Sequence, residues 1–130
     1  MSSCLIVDDS RVIRKVARRI LEALQYDVAE AADGVEALAV CRAAMPEAVL
    51  LDWYMPVMDG LEFLRQLRGM PDGDSVTVVV CSSETEVERI GAALAAGADE
   101  YVMKPFDTDI LHAKIQEAAH FRDSRLRRAA

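Results

Sequence analysis

Apolar positions along the chain alternate between two textures. Short, dense runs stand at Cys4–Val7, Ala48–Leu51 and Val76–Val80, with a weaker one at Tyr26–Ala31 and a fifth at Asp99–Met103. Between them the apolar residues spread out to helical spacing. From Arg11 to Leu24 they are Val12, Ile13, Val16, Ala17, Ile20, Leu21 and Leu24, one face of an amphipathic helix. Asp33-Gly34-Val35-Glu36 and Asp59-Gly60-Leu61-Glu62 each set an aspartate three residues ahead of a glutamate, the signature of a helix start. The second of these helices runs to about Leu67. Ser83-Glu84-Thr85-Glu86 is a capping box opening a helix that ends near Gly97, and a last helix runs from about Asp107 to Phe121 or beyond. Gly69 to Ser75, holding Pro71, Gly73 and two aspartates, reads as a surface loop.

Strands alternating with helices predict a parallel sheet covered on both faces. Strand segments that are continuously apolar, rather than apolar at every second residue, fit burial on both faces. In such a sheet, ligands bind beyond the carboxyl ends of the strands. The residues following each strand therefore decide the chemistry. They are Asp8-Asp9, Asp52, Ser82 after Cys81, and Lys104-Pro105: three carboxylates, a hydroxyl and an ammonium from four strands.

Clustered carboxylates repel one another. They become tolerable around a hard divalent cation, and Mg²⁺ takes one or two carboxylates together with waters and a phosphate. A lysine and a hydroxyl beside Mg²⁺ form a phosphoryl-binding site, the cations neutralising charge and the hydroxyl donating a hydrogen bond. With no cysteine or histidine placed there as nucleophile, a carboxylate is the acceptor. Aspartyl phosphates are an established product of carboxylate nucleophiles, and Asp52 on the central strand is best placed. Singly, each feature has a plain structural reading: a loop or cap for Asp8-Asp9, a turn for Lys104-Pro105-Phe106, a helix flank for Ser82. Their joint placement favours a site.

Composition narrows the class. The 130 residues suit one domain, and a hydrophobic fraction of 52% with 28% charged residues excludes a disordered chain. A formal charge of −7 argues against general binding of DNA or other nucleic acid. No apolar run approaches the ~20 residues of a membrane span, so no membrane insertion is expected. No signal peptide is visible, and Cys4, Cys41 and Cys81 suggest neither a disulfide framework nor a metal site. A cytoplasmic protein is expected.

Four segments together carry a family resemblance: Leu5-Ile6-Val7-Asp8-Asp9-Ser10, Leu51-Asp52-Trp53-Tyr54-Met55-Pro56-Val57-Met58-Asp59-Gly60, Ser82-Ser83, and Tyr101-Val102-Met103-Lys104-Pro105-Phe106. The chain resembles the receiver domain of two-component response regulators over about residues 3 to 121. That resemblance implies an α/β, flavodoxin-like (CheY-like), doubly wound sheet of five parallel strands in the order 2-1-3-4-5 with five helices. It implies a receiver at 1–121 and a basic extension of the last helix, or a tail, at 122–130. A stand-alone receiver is expected, since no output domain follows in the sequence. It implies a regulator rather than an enzyme beyond Mg²⁺-dependent self-phosphorylation and slow self-dephosphorylation.

The resemblance also assigns roles. Asp52 would accept a phosphoryl group from a histidine kinase or a histidine phosphotransfer protein. Asp9, Asp52 and the backbone carbonyl of Tyr54 would ligate Mg²⁺, and Asp8 would act through a metal-bound water. Ser82 and Lys104 would bind the phosphoryl group, and Lys104-Pro105 would be a cis peptide. Pro56 and Gly60 would shape the loop after the acceptor. Tyr54 and Glu84 stand where the family tunes hydrolysis of the acyl phosphate. Tyr101 stands at the switch aromatic, which implies a target protein at the face of helix 4, strand 5 and helix 5. Alternatives are a relay intermediate, or a receiver binding cyclic di-GMP through Arg122, Arg125, Arg127 and Arg128. A haloacid-dehalogenase-type phosphatase needs Asp-x-Asp, whereas Asp52-Trp53-Tyr54 has no second carboxylate.

Among the remaining residues, Cys81 reads as a small buried hydrophobe and His112 and His120 as surface helix positions. Leu61, Phe63, Leu64 and Leu67 read as core. Trp53 is expected to be partly exposed beside the site.

Overall fold

The computed structural model describes residues 2–82 and 87–129. Five strands alternate with five helices: β1 (Ser3–Val7), α1 (Arg11–Ala23), β2 (Asp27–Ala31), α2 (Gly34–Ala43), β3 (Ala48–Asp52), α3 (Gly60–Gly69), β4 (Thr77–Ser82), α4 (Val87–Ala95), β5 (Glu100–Met103) and α5 (Thr108–Ala129). The loop after α3 contains a short 3₁₀ turn at Gly73–Ser75. The strands form one parallel sheet in the order β2-β1-β3-β4-β5, as the resemblance implies.

Strand runs and helix faces meet in two cores, one on each face of the sheet. Alternate strand residues point to opposite faces. Leu5, Val7, Val49, Leu51, Val78 and Val80 pack with Phe63, Leu64 and Leu67 of α3 and with α2. Cys4, Ile6, Leu50, Val79, Cys81 and Val102 pack on the other face with Ala17 and Leu21 of α1 and Leu111, Ile115 and Ala118 of α5. Every residue of β3 and β4 is buried, which is why their sequences are unbroken apolar runs. β2 lies at the edge and keeps only Ala31 fully buried.

Helix starts follow the expected chemistry. Ser10, Asp33 and Asp59 cap α1, α2 and α3, their side chains accepting from the N–H groups of Ile13, Glu36 and Glu62. The capping box expected at residues 83–86, Glu84 included, lies outside the described residues. Gly97, at φ +114°, ends the α4 segment in a conformation that L side chains disfavour.

One expectation changes. Trp53 is only 6% exposed and belongs to the α2–α3 core rather than to the surface beside the site. It continues the alternation of Val49 and Leu51, so the indole falls on the same face of the sheet. Of the two forms expected for residues 122–130, an extension of the last helix or a tail, α5 takes the first as far as Ala129, and Arg125 donates to the carboxylates of Asp99 and Asp74.

Candidate functional site

Parallel register brings the site together. Val7 pairs with Leu51, Asp52 with Cys81 and Ser82 with Met103. The next residues along, Asp8, Asp52, Ser82 and Lys104, therefore arrive at one edge of the sheet. The Lys104 N–H also donates to the Ser82 carbonyl at 2.9 Å, which fixes the β5 exit against β4. Lys104-Pro105 is cis.

Asp8 is buried and gripped through four of its atoms. Its N–H donates to the Ala31 carbonyl at 3.1 Å. Its Oδ1 accepts the Ser10 N–H at 2.8 Å, and its Oδ2 accepts Lys104 Nζ at 3.0 Å. Its carbonyl accepts Arg14 Nη1 at 2.7 Å. Asp52, also buried, accepts Lys104 Nζ on Oδ1 at 3.3 Å. Asp9 is exposed. One carboxylate oxygen from each of Asp8, Asp9 and Asp52 lies within 4.8 Å of the others.

Charge around Asp52 is unbalanced. Burial, and then the Asp8 charge, push its carboxyl up to about 6, while Lys104 and the Tyr54 backbone N–H pull it down. Burial pulls the Lys104 ammonium down, but the Asp8 hydrogen bond and the charges of Asp52 and Asp8 outweigh this and raise it. Lys104 therefore stays charged, and three carboxylates face one ammonium. Ser82 Oγ is buried without a hydrogen-bond partner among the described residues, an unusual state for a polar atom. Oxygens bound to Mg²⁺ at about 2.1 Å lie about 3 Å apart in cis and about 4 Å in trans. The carboxylate cluster is therefore close to the size that ion requires, and its oxygen-only donors match the ion's hardness. The unpaired hydroxyl matches a further acceptor such as a phosphoryl oxygen. A hollow lined by Ser3, Tyr26, Asp27 and Met45 opens at the amino ends of the strands, away from this chemistry.

The loop that leaves Asp52 is tightly made. Met58 N–H donates to the Pro56 carbonyl at 2.7 Å around Val57, which sits at φ +69°. Gly60 N–H donates to the Trp53 carbonyl at 3.1 Å. A Cβ at Gly60 would stand 2.7 Å from the Asp52 carbonyl oxygen, so only glycine lets α3 start this close to β3. Tyr54 is 40% exposed, with the Arg89 guanidinium 4.7 Å from its ring centre.

The family model for the response regulator receiver domain matches residues 4–116. The chain belongs to the response regulator receiver family. Among curated relatives, the response regulator MprA of Mycobacterium tuberculosis is 44% identical over 112 residues, 86% of this chain and 48% of that protein. The chain thus spans about half the length of the curated relatives it matches. Among solved structures, the chemotaxis response regulator CheY4 of Vibrio cholerae superposes with a TM-score of 0.85 at 34% identity, covering 91% of this receiver and 98% of that chain. The receiver domain of NtrX from Brucella abortus gives 0.83 at 28% identity, over 90% and 98% of the two chains. Receivers are regulators rather than catalytic enzymes and bind Mg²⁺ at an acidic pocket. No helix among the described residues is long and apolar enough to cross a membrane.

Other residues sort plainly. Tyr101 is half-buried on β5, and Lys114 Nζ lies 5.0 Å from its ring centre. Burial drives the Cys81 thiol far up, which makes it inert. His112 and His120 are exposed on α5. Sequence reasoning missed Arg14. Its position in α1 identifies it as an outward-facing basic residue, and only the returning β1–α1 loop shows what it reaches.

Proposed function

We propose that this receiver is a phospho-acceptor switch whose acceptor is Asp52. The observation that carries the reading is the Asp52 carboxylate 3.3 Å from Lys104 Nζ, in a cluster with Asp8 and Asp9 and at the same sheet edge as the unpartnered Ser82 hydroxyl. Asp9, Asp52 and the Tyr54 carbonyl would hold Mg²⁺, with Asp8 acting through a bound water. The ion would supply positive charge against the phosphoryl oxygens.

An Asp52 oxygen attacks phosphorus of a phosphohistidine on a histidine kinase or a histidine phosphotransfer protein. The P–O bond forms as the P–N bond breaks, and the imidazole leaves with the electron pair and takes a proton. Lys104, already charged, exchanges a carboxylate partner for a phosphoryl oxygen. The Ser82 hydroxyl gains the acceptor it lacks. Its shift toward Asp52 opens space for Tyr101 to turn inward. The readout is a protein target at α4, β5 and α5, which carry exposed Leu94, Met103, Ile110 and Phe121. Tyr54 at the acceptor loop, and Glu84, would set the lifetime of the acyl phosphate.

The test is labelling by phosphoramidate with Mg²⁺. The wild type gains one acid-stable, base-labile phosphoryl group and Asp52→Asn gains none. Undiminished labelling of the variant at another residue overturns the assignment.

A further inference from the structure

We propose that Arg14 is a positioning residue for the cation: its guanidinium, held by Glu30, fixes the Asp8–Asp9 peptide from which the Asp9 carboxylate reaches the metal. The inference rests on the Mg²⁺ role proposed above and adds a residue outside the acidic cluster.

Arg14 is 16% exposed and uses both edges of its fork. Nη1 donates to the Asp8 carbonyl at 2.7 Å, and Nε donates to Glu30 Oε1 at 3.0 Å. Glu30 is itself fixed by Arg18, whose Nε meets Oε2 at 2.7 Å and whose Nη2 donates to the Val28 carbonyl at 3.2 Å. The chain of contacts thus runs from the edge strand β2 through Glu30 and Arg14 to the backbone between two proposed ligand residues.

Position matters at this peptide. The other contacts of Asp8 are its N–H on Ala31 and its carboxylate, which accepts Lys104 Nζ and also closes a turn over Asp9 by accepting the Ser10 N–H. None of them fixes the carbonyl itself, and that plane sets where the Asp9 Cα and carboxylate lie. Asp9 is exposed, so packing does little to orient it. Mg²⁺ demands near-ideal octahedral geometry and tolerates misplaced ligands poorly. Groups that orient a ligand from behind commonly control metal affinity.

Charge and geometry make opposite forecasts. Arg14 is a cation next to a cation site, so by Coulomb's law alone its removal tightens Mg²⁺ binding. If Arg14 positions Asp9, its removal weakens binding in spite of the charge. Calorimetric titration of the full chain with MgCl₂ reads this directly, with melting temperatures of the metal-free proteins taken alongside. Arg14→Ala is expected to bind about tenfold more weakly. Arg14→Lys keeps the charge but loses the fork, and is expected to fall between. Arg19→Ala removes an exposed arginine of the same helix and is expected to bind as the wild type or more tightly. Wild-type or tighter binding by Arg14→Ala overturns the inference while leaving the acceptor reading intact. A wild type that takes up no Mg²⁺ overturns both. Should Arg14→Ala not fold, Arg14→Lys carries the test: weaker binding at unchanged charge supports the inference, and unchanged binding overturns it.

Discussion

A buried carboxylate held at an elevated pKa costs the fold something, and Asp52 shows how much. Its carboxyl is pushed from the ordinary 3.8 to about 6, first by burial and then by Asp8. Between those values the folded chain holds more protons than the unfolded one. Stability therefore falls as pH rises through that window, and above it the cost is complete. About two pKa units correspond to an order of 1–3 kcal/mol. Metal-free Asp52→Asn is thus expected to melt higher than wild type at pH 7.5, with the gap narrowing toward pH 4.5. A lower melting point at pH 7.5 would show that Lys104 depends on Asp52 more than Asp52 suffers from burial. The residues of this edge were legible in the sequence because each ends an apolar strand run or follows it within two residues. The cost was not, because it depends on how deeply Asp52 sits and how near Asp8 comes.

Helix α5 illustrates the element scale. The match to the family model ends at residue 116, yet α5 runs on to Ala129. Arg125 in that extension donates to Asp99 Oδ1 at 3.1 Å and to the Asp74 carbonyl and carboxylate. The Asp99 side chain is fully buried and also accepts Arg68 and the Val78 N–H on Oδ2. Arg68 further caps the carbonyls of Gly73, Val76 and Gly97. One carboxylate therefore ties α3, β4, the α4–β5 turn and α5 together. Removing one member of a buried ion pair leaves the other uncompensated, at about 3–5 kcal/mol. Asp99→Ala is expected to lose about that much in urea unfolding. Arg125→Ala is expected to lose about 1–2 kcal/mol, since Arg68 and the Val78 N–H remain. Equal denaturation midpoints for Arg125→Ala and wild type would reduce the extension to an appendage. Read along the chain, Asp99 looked like the start of a strand and Arg122 to Arg128 like a basic helix extension or tail. Partners separated by 26 and 51 positions leave no local pattern.

At the scale of the molecule, the site is a property of four strand ends held in register. A ligand bound only by the assembled fold stabilises it by mass action, by RT ln(1 + [L]/Kd). Mg²⁺ at about 100 times its Kd is expected to add about 2.7 kcal/mol, seen as a rise in melting temperature. Asp9→Ala should lose most of that rise without melting lower in the metal-free state, because Asp9 is exposed and its removal also relieves repulsion. An equal Mg²⁺ response in Asp9→Ala would remove Asp9 from the cation site.

The sequence by itself determined the architecture and which residues gather at the candidate site. Unbroken apolar runs between amphipathic segments leave a parallel sheet buried on both faces as the arrangement that hides them. The strand ends then name Asp8, Asp9, Asp52, Ser82 and Lys104, because period and position are local properties of a chain. Tertiary structure alone decided what closes between distant segments. It turned Trp53 into the core, left Ser82 Oγ without a partner among the described residues, and buried Asp99 between Arg68 and Arg125. It also brought Arg14 onto the Asp8 carbonyl with Glu30 behind it. Burial, desolvation and hydrogen bonds across the fold depend on which surfaces meet, and that is fixed only when helices and sheet have packed.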